Sequence, residues 1–181
     1  MNNNKIKRSS KLLAVCLKIL RIIVFIAVGV EISAIIWLAA VPGDVNSTTL
    51  GSIHIISPLG NIADYSKSEL IVQLCVNVSK QSIMIVMLFL AGAIFKDISR
   101  EYTPFAAKHT KRLKAISKWM VLLAIIPASV EMLMLQILAP TVKVYDVSFE
   151  LSFILVAVVF FCLAQIFEYG GVLQQQSDET L

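Results

Sequence analysis

Residues 22–41, IIVFIAVGVEISAIIWLAAV, decide the fold, and their only charged side chain is Glu31. An α-helix rises about 1.5 Å per residue, so twenty residues cover about 30 Å, the thickness of a bilayer's hydrocarbon core. Three further stretches read the same way. One runs from about Leu70 to Phe95, with Lys80 inside it and a wholly apolar part from Ile83 to Phe95. Another is 119–139, interrupted by Glu131, and the last is roughly 148–167, with Glu150 near its start. The composition agrees: 57% of the 181 residues are hydrophobic, 15% are charged and the mean hydropathy is +0.81. A soluble domain is about 45–50% apolar and about 25% charged. A disordered tail is excluded and a soluble enzyme disfavoured. The expectation is an all-α integral membrane protein, a single bundle of four transmembrane helices over 1–181. The helices are expected at about 12–41, 70–97, 104–139 and 148–170, with outer connections 42–69 and 140–147 and a cytoplasmic connection 98–103.

Positive charge sets the orientation. Thirteen of the sixteen Lys and Arg residues fall in 1–21 or 96–118. Lysine and arginine concentrate on the cytoplasmic side, so both termini and the 96–118 connection are expected there. The first apolar run is longer than the core of a cleaved signal peptide, so it reads as a retained helix. In the outer connections, Ser52-Ile53-His54-Ile55 and Thr141-Val142-Lys143-Val144-Tyr145 alternate polar and apolar residues, which predicts a small extracytoplasmic two-stranded ribbon. On the other side, Thr103 suits a helix N-cap and Pro104 the first helical position. Phe105, Leu113, Ile116 and Met120 share a face, predicting a basic interfacial helix that runs into the third crossing. Its Lys108, Lys111, Arg112, Lys114 and Lys118 form a basic patch suited to docking a partner or to lipid headgroups, against the plainer reading as topological charge.

Charged groups inside an apolar helix are costly and normally face the helix contacts. Counted along the helix, Glu31 lies about 15 Å above Arg21, Glu131 about 20 Å above Lys118 and Lys80 about 24 Å above Lys96. Ala27, Glu31 and Ala34 share one face, as do Ala124, Ala128 and Glu131, and Glu150, Ala157 and Ala164. Small residues at such spacing let helices approach closely. Gln73, Asn77 and Lys80 share a face of the second helix. These residues, with Gln136, are expected to form one polar cluster in which Lys80 pairs with Glu131 or Glu31. The cluster reads either as a buried ion pair that fixes packing or as a site for a proton, an ion or a small ligand.

Catalytic motifs are absent: there is no GxSxG, HExxH, Walker A or GxGxxG, so no enzyme is expected. Cys16, Cys75 and Cys162 form no CxxC pair and read as buried free thiols. His54 and His109 are isolated and read as surface residues, so no metal site and no cofactor are expected. The net charge of +4 is a matter of topology here, and no direct nucleic-acid binding is expected.

Two stretches carry a family resemblance. One is Ile166-Phe167-Glu168-Tyr169-Gly170-Gly171-Val172-Leu173-Gln174-Gln175, followed by Ser177-Asp178-Glu179-Thr180-Leu181. The other is Thr103-Pro104-Phe105 followed by Lys111-Arg112-Leu113-Lys114-Ala115-Ile116. With the four-segment layout, they resemble the uncharacterised bacterial membrane family known as domain of unknown function 2975. The resemblance implies a four-helix protein of the bacterial inner membrane. It also implies a small helix-turn-helix regulator as neighbour, and no catalytic residue carries over. The functional expectation is a non-enzymatic membrane partner or modulator of that regulator, docking on Thr103–Lys118 and Tyr169–Leu181. The alternative is a small transporter, exporter or immunity-type protein using the Glu/Lys cluster. The expected partners are the lipid bilayer, the regulator and further copies of the chain.

Overall fold

The computed structural model describes residues 3–42, 66–101, 106–138 and 150–179. Among them it has four α-helices and no strand: α1 (Asn3–Ala40), α2 (Lys67–Glu101), α3 (Ala107–Leu138) and α4 (Leu151–Glu179). Each is long and apolar enough to cross a membrane. The ribbon expected in 52–55 and 141–145 lies outside the described residues, as do His54, Thr103 and Pro104.

The helices outrun the apolar stretches that announce them. α1 begins at Asn3 rather than near residue 12, and α4 runs to Glu179 rather than 170. Hydropathy ends where a span meets water, but a helix of Lys, Leu, Gln and Glu propagates past that point. At α2, Ser66-Lys67-Ser68-Glu69 forms a capping box that starts the helix three residues before the apolar run. The Ser66 N–H donates to Glu69 Oε2 (2.6 Å) and the Glu69 N–H donates to Ser66 Oγ (3.3 Å). The Lys67 ammonium donates to the Val41 carbonyl, tying the start of α2 to the end of α1.

Packing follows chain order: α1 on α2, α2 on α3 and α3 on α4, with no comparable interface between any other pair. The four-helix bundle is therefore open, a row with α1 and α4 at its edges. Lipid tails are as apolar as leucine, so a helix in a bilayer gains little by being enclosed and can hold a one-sided contact. Every joint is antiparallel. Glu31 meets Gln81 and Arg21 meets Phe89 across α1 and α2; Arg112 meets Asp97 across α2 and α3; Lys114 meets Glu168 across α3 and α4. The basic ends of α1, α2 and α3 and the C-terminal end of α4 therefore lie together, opposite a far end closed by Lys67.

Leu38, Leu70 and Leu74 form a core at the far end between α1 and α2. Ile94, Leu113, Ile116 and Ala164 form another toward the basic end, joining α2, α3 and α4. The first turns of α3 thus stand between α2 and α4 as part of one continuous helix, instead of lying flat in the membrane interface. This also corrects the reading of His109 as a surface residue: His109 and Thr110 are buried there. The small residues on the acid-bearing stripes of α3 and α4 sit where helices touch: Ala124, Ala128, Ala157 and Ala164 are all buried. Ser117 adds a cross-helix bond, its hydroxyl donating to the Ala157 carbonyl at 2.8 Å. The cysteines depart from expectation. Cys16 and Cys162 are exposed on the edge helices and Cys75 is half-buried, because an edge helix has only one covered face.

Ala164 is fully buried. Replacing it with Leu overpacks the contact among α2, α3 and α4 and is expected to lower stability by about 1–3 kcal/mol. Val158→Leu, on the exposed face of the same helix, is expected to change it by less than about 0.5 kcal/mol. Thermal unfolding of both variants in the same detergent checks the contrast.

Candidate functional site

The polar residues of the spans come together, but α2 divides them into two groups. Consecutive residues on a helix point about 100° apart, since a turn holds 3.6 residues. Gln81 faces α1, where its amide Nε2 donates to Glu31 Oε1 at 2.7 Å. Lys80 faces the other way, and its ammonium donates to Glu150 Oε1 at 3.0 Å. About two helical turns nearer the start of α2, Gln73 Nε2 donates to Glu131 Oε1 at 3.4 Å. Lys80, Glu131 and Glu150 line one small cavity together with Leu123, Ala124, Pro127 and Ala128.

Lys80 therefore pairs with Glu150, and neither with Glu131 nor with Glu31 as the helical spacing suggested. Glu131 takes Gln73 and Glu31 takes Gln81. Asn77 is half-buried on α2 and Gln136 is exposed on α3; neither joins these contacts. Gln81 went unnoticed in the sequence because it sits one residue off the Gln73–Asn77–Lys80 face. Its signal was available: an amide in an apolar helix needs a partner, and Glu31 is the acid of the preceding helix.

The depths also change. Counting inward from Arg21 places Glu31 near the middle of the membrane. However, Arg21 lies over the Phe89 ring, 5.4 Å from its centroid, and Phe89 is eight residues from Asp97. Arg21 is thus about 12 Å deeper than the Asp97 level. Glu31, opposite Gln81, then shares its level with Lys80 and Glu150. The α1 and α3 helices run on past this level as Ile32–Ala40 and Met132–Leu138, whereas α4 begins at it. Glu150 immediately precedes α4, and Phe153 N–H donates to its carbonyl at 3.0 Å. The first turn of a helix leaves N–H groups without intrahelical partners and carries positive partial charge, so an acid there is favourable. Pro127 has no N–H and frees the Leu123 carbonyl of its helical bond; both residues line the same cavity.

At the basic end a second set of contacts joins three helices. Asp97 of α2 receives Arg112 at 2.7 Å and Lys108 at 3.5 Å, and Glu168 of α4 receives Lys114 at 2.7 Å. Of the basic patch, only Lys111 and Lys118 stand exposed on α3 outside these ion pairs. Beyond Glu168, α4 continues for eleven residues, about 16 Å. It presents Tyr169, Val172 and Leu173 on one face, 66%, 49% and 47% exposed.

Comparison with known proteins finds no match: no family model fits the chain, and no curated protein or solved structure resembles it. The fold itself defines the class, a multi-pass membrane-embedded protein of four helices.

Glu31 is 4% exposed, and the buried atoms left without a hydrogen bond beside it are Glu31 Oε2 and Gln81 Oε1. An amide at position 31 brings a donor where both leftover atoms are acceptors. Glu31→Gln is therefore expected to preserve or raise stability. Glu31→Leu strands the Gln81 amide and is expected to cost about 1–3 kcal/mol. Equal losses in the two variants, measured by unfolding in detergent, would refute this account. For Lys80 and Glu150, both more than a third exposed, a double-mutant cycle is expected to give about 0.5 kcal/mol of coupling. Lys80 and Glu31, on opposite sides of α2, should couple more weakly. The reverse order would overturn the division of the cluster.

Proposed function

We propose that this chain is a non-enzymatic partner protein of a bacterial inner membrane, holding a small helix-turn-helix regulator at its basic, cytoplasmic end. The observation that carries the reading is the α4 extension. It leaves the ion-paired level of Asp97, Arg112, Lys114 and Glu168 as a continuous helix, with an apolar stripe at i, i+3 and i+4 that no other described residue covers. An amphipathic helix rooted in a fixed base is a common docking element for a soluble domain. Orientation follows from the clustering of lysine and arginine at this end. The regulator as occupant follows from the resemblance to domain of unknown function 2975.

The transporter, exporter or immunity reading has less support. Its polar groups are paired with one another, and the cavity they line is about 20 Å3. That is room for about one water molecule.

The test is co-purification of the neighbouring gene's regulator with the membrane protein. The double variant Tyr169→Ala with Leu173→Glu is expected to lower its retention at least about tenfold, the effect of losing central apolar anchors. Glu31→Gln is expected to leave retention unchanged. Full retention by the α4 variant would refute the proposal.

A further inference from the structure

We propose that the groove between the first half of α1 and the last third of α2 binds the headgroup of an anionic phospholipid. The groove has a volume of about 730 Å3, within the range of sites that hold a small ligand. Lys11, Lys18 and Arg21 line it from α1, and Lys96 and Arg100 from α2. Among the described residues, no acidic side chain lines it. The contrast with α3 is direct: there Lys108, Arg112 and Lys114 are matched by Asp97 and Glu168, whereas none of the five groove cations makes an ion pair among the described residues.

Depth adds a second observation. Charge that serves only to orient a helix needs no more than to flank the span. Here the cations climb inward. Arg21 stacks over Phe89, about 12 Å deeper than the Asp97 level, and Lys18 lies between that depth and the basic end. Cations inside the apolar zone are costly without a counter-charge. An anionic lipid headgroup seated in the groove supplies one.

The surroundings select a lipid over a soluble anion. α1 is an edge helix, and beside the groove it exposes Leu12, Val15, Ile19 and Ile22. Acyl chains have an apolar surface to lie on directly next to the charges. Each basic residue near a membrane surface contributes about 1 kcal/mol to attraction of anionic lipid, about fivefold in binding.

The experiment uses the full chain in a neutral detergent, with phosphatidylglycerol or phosphatidylcholine added. Bound lipid is counted by native mass spectrometry and the melting temperature is followed in parallel. Phosphatidylglycerol is expected to bind and raise the melting temperature, and phosphatidylcholine to do neither. The triple variant Lys18→Gln, Arg21→Gln, Lys96→Gln is expected to lose at least about tenfold in phosphatidylglycerol binding, while Lys111→Gln with Lys118→Gln keeps it. Should the triple variant not fold, Lys18→Gln and Lys96→Gln separately are expected to lose about threefold to fivefold each. Inorganic phosphate and glycerol phosphate form the second arm. Either one stabilising the protein as well as phosphatidylglycerol does would assign the groove to a soluble anion and overturn the proposal. Equal binding of the two lipids, or equal losses in the groove and α3 variants, would overturn it as well.

Discussion

A polar group inside hydrocarbon has no water to turn to, and this constraint orders the whole structure. The backbone answers it by forming four long helices. The serines of the spans answer it locally: the hydroxyls of Ser33, Ser79, Ser82 and Ser129 each donate to a carbonyl three or four residues back. Side chains too long for that reach across helices, as Gln81 to Glu31, Lys80 to Glu150 and Gln73 to Glu131 do. These bonds set which helices meet and at what level. The apolar contacts of Leu38 with Leu70 and Leu74, and of Ile94 with Leu113 and Ala164, fill in around them.

The same constraint explains why an open row is sufficient. Nothing drives α1 and α4 to close on each other once their polar groups are satisfied on one side. Two edge features follow. On one edge, α1 and α2 leave a cationic groove facing lipid. On the other, α4 packs mainly on α3, meets α2 around Ala164, and projects past the ion-paired level with its apolar stripe uncovered. The groove and the projection share the basic end, so a lipid bound in one and a protein bound to the other would meet the same membrane face. The polar contacts toward the far end join neighbouring helices at the level where α4 starts.

Much of the fold was legible in the sequence because apolar content is a direct physical requirement of crossing a bilayer. The four helices contain the described parts of the apolar segments 22–41, 70–95 and 119–139, and the fourth starts at Leu151 within 148–167. Helix ends were less legible. α1 and α4 continue as mixed polar helices that hydropathy does not register, and the start of α2 rests on the Ser66–Glu69 box. The members of the polar cluster were legible as charged residues in apolar runs, but their partners were not. Pairing depends on how far one helix slides against the next, and Arg21 is a poor ruler for that slide because it sits opposite Phe89 instead of the level of Asp97. The alanine stripes read as helix–helix contacts, and in the open row they serve pairwise joints.

The central claim is that four antiparallel crossings gather the charged helix ends on one side of the membrane. Single cysteines introduced into a chain freed of Cys16, Cys75 and Cys162 test it most directly, with a membrane-impermeant thiol reagent applied to sealed vesicles of known orientation. Cysteine at Lys111 and at Ser177 is expected to react from one side only, the same for both. Cysteine at Ser66 should react only from the opposite side, and cysteine at Leu155, in the middle of the α4 apolar run, from neither. Reaction of Ser66→Cys and Ser177→Cys from the same side, or ready labelling of Leu155→Cys, would contradict it.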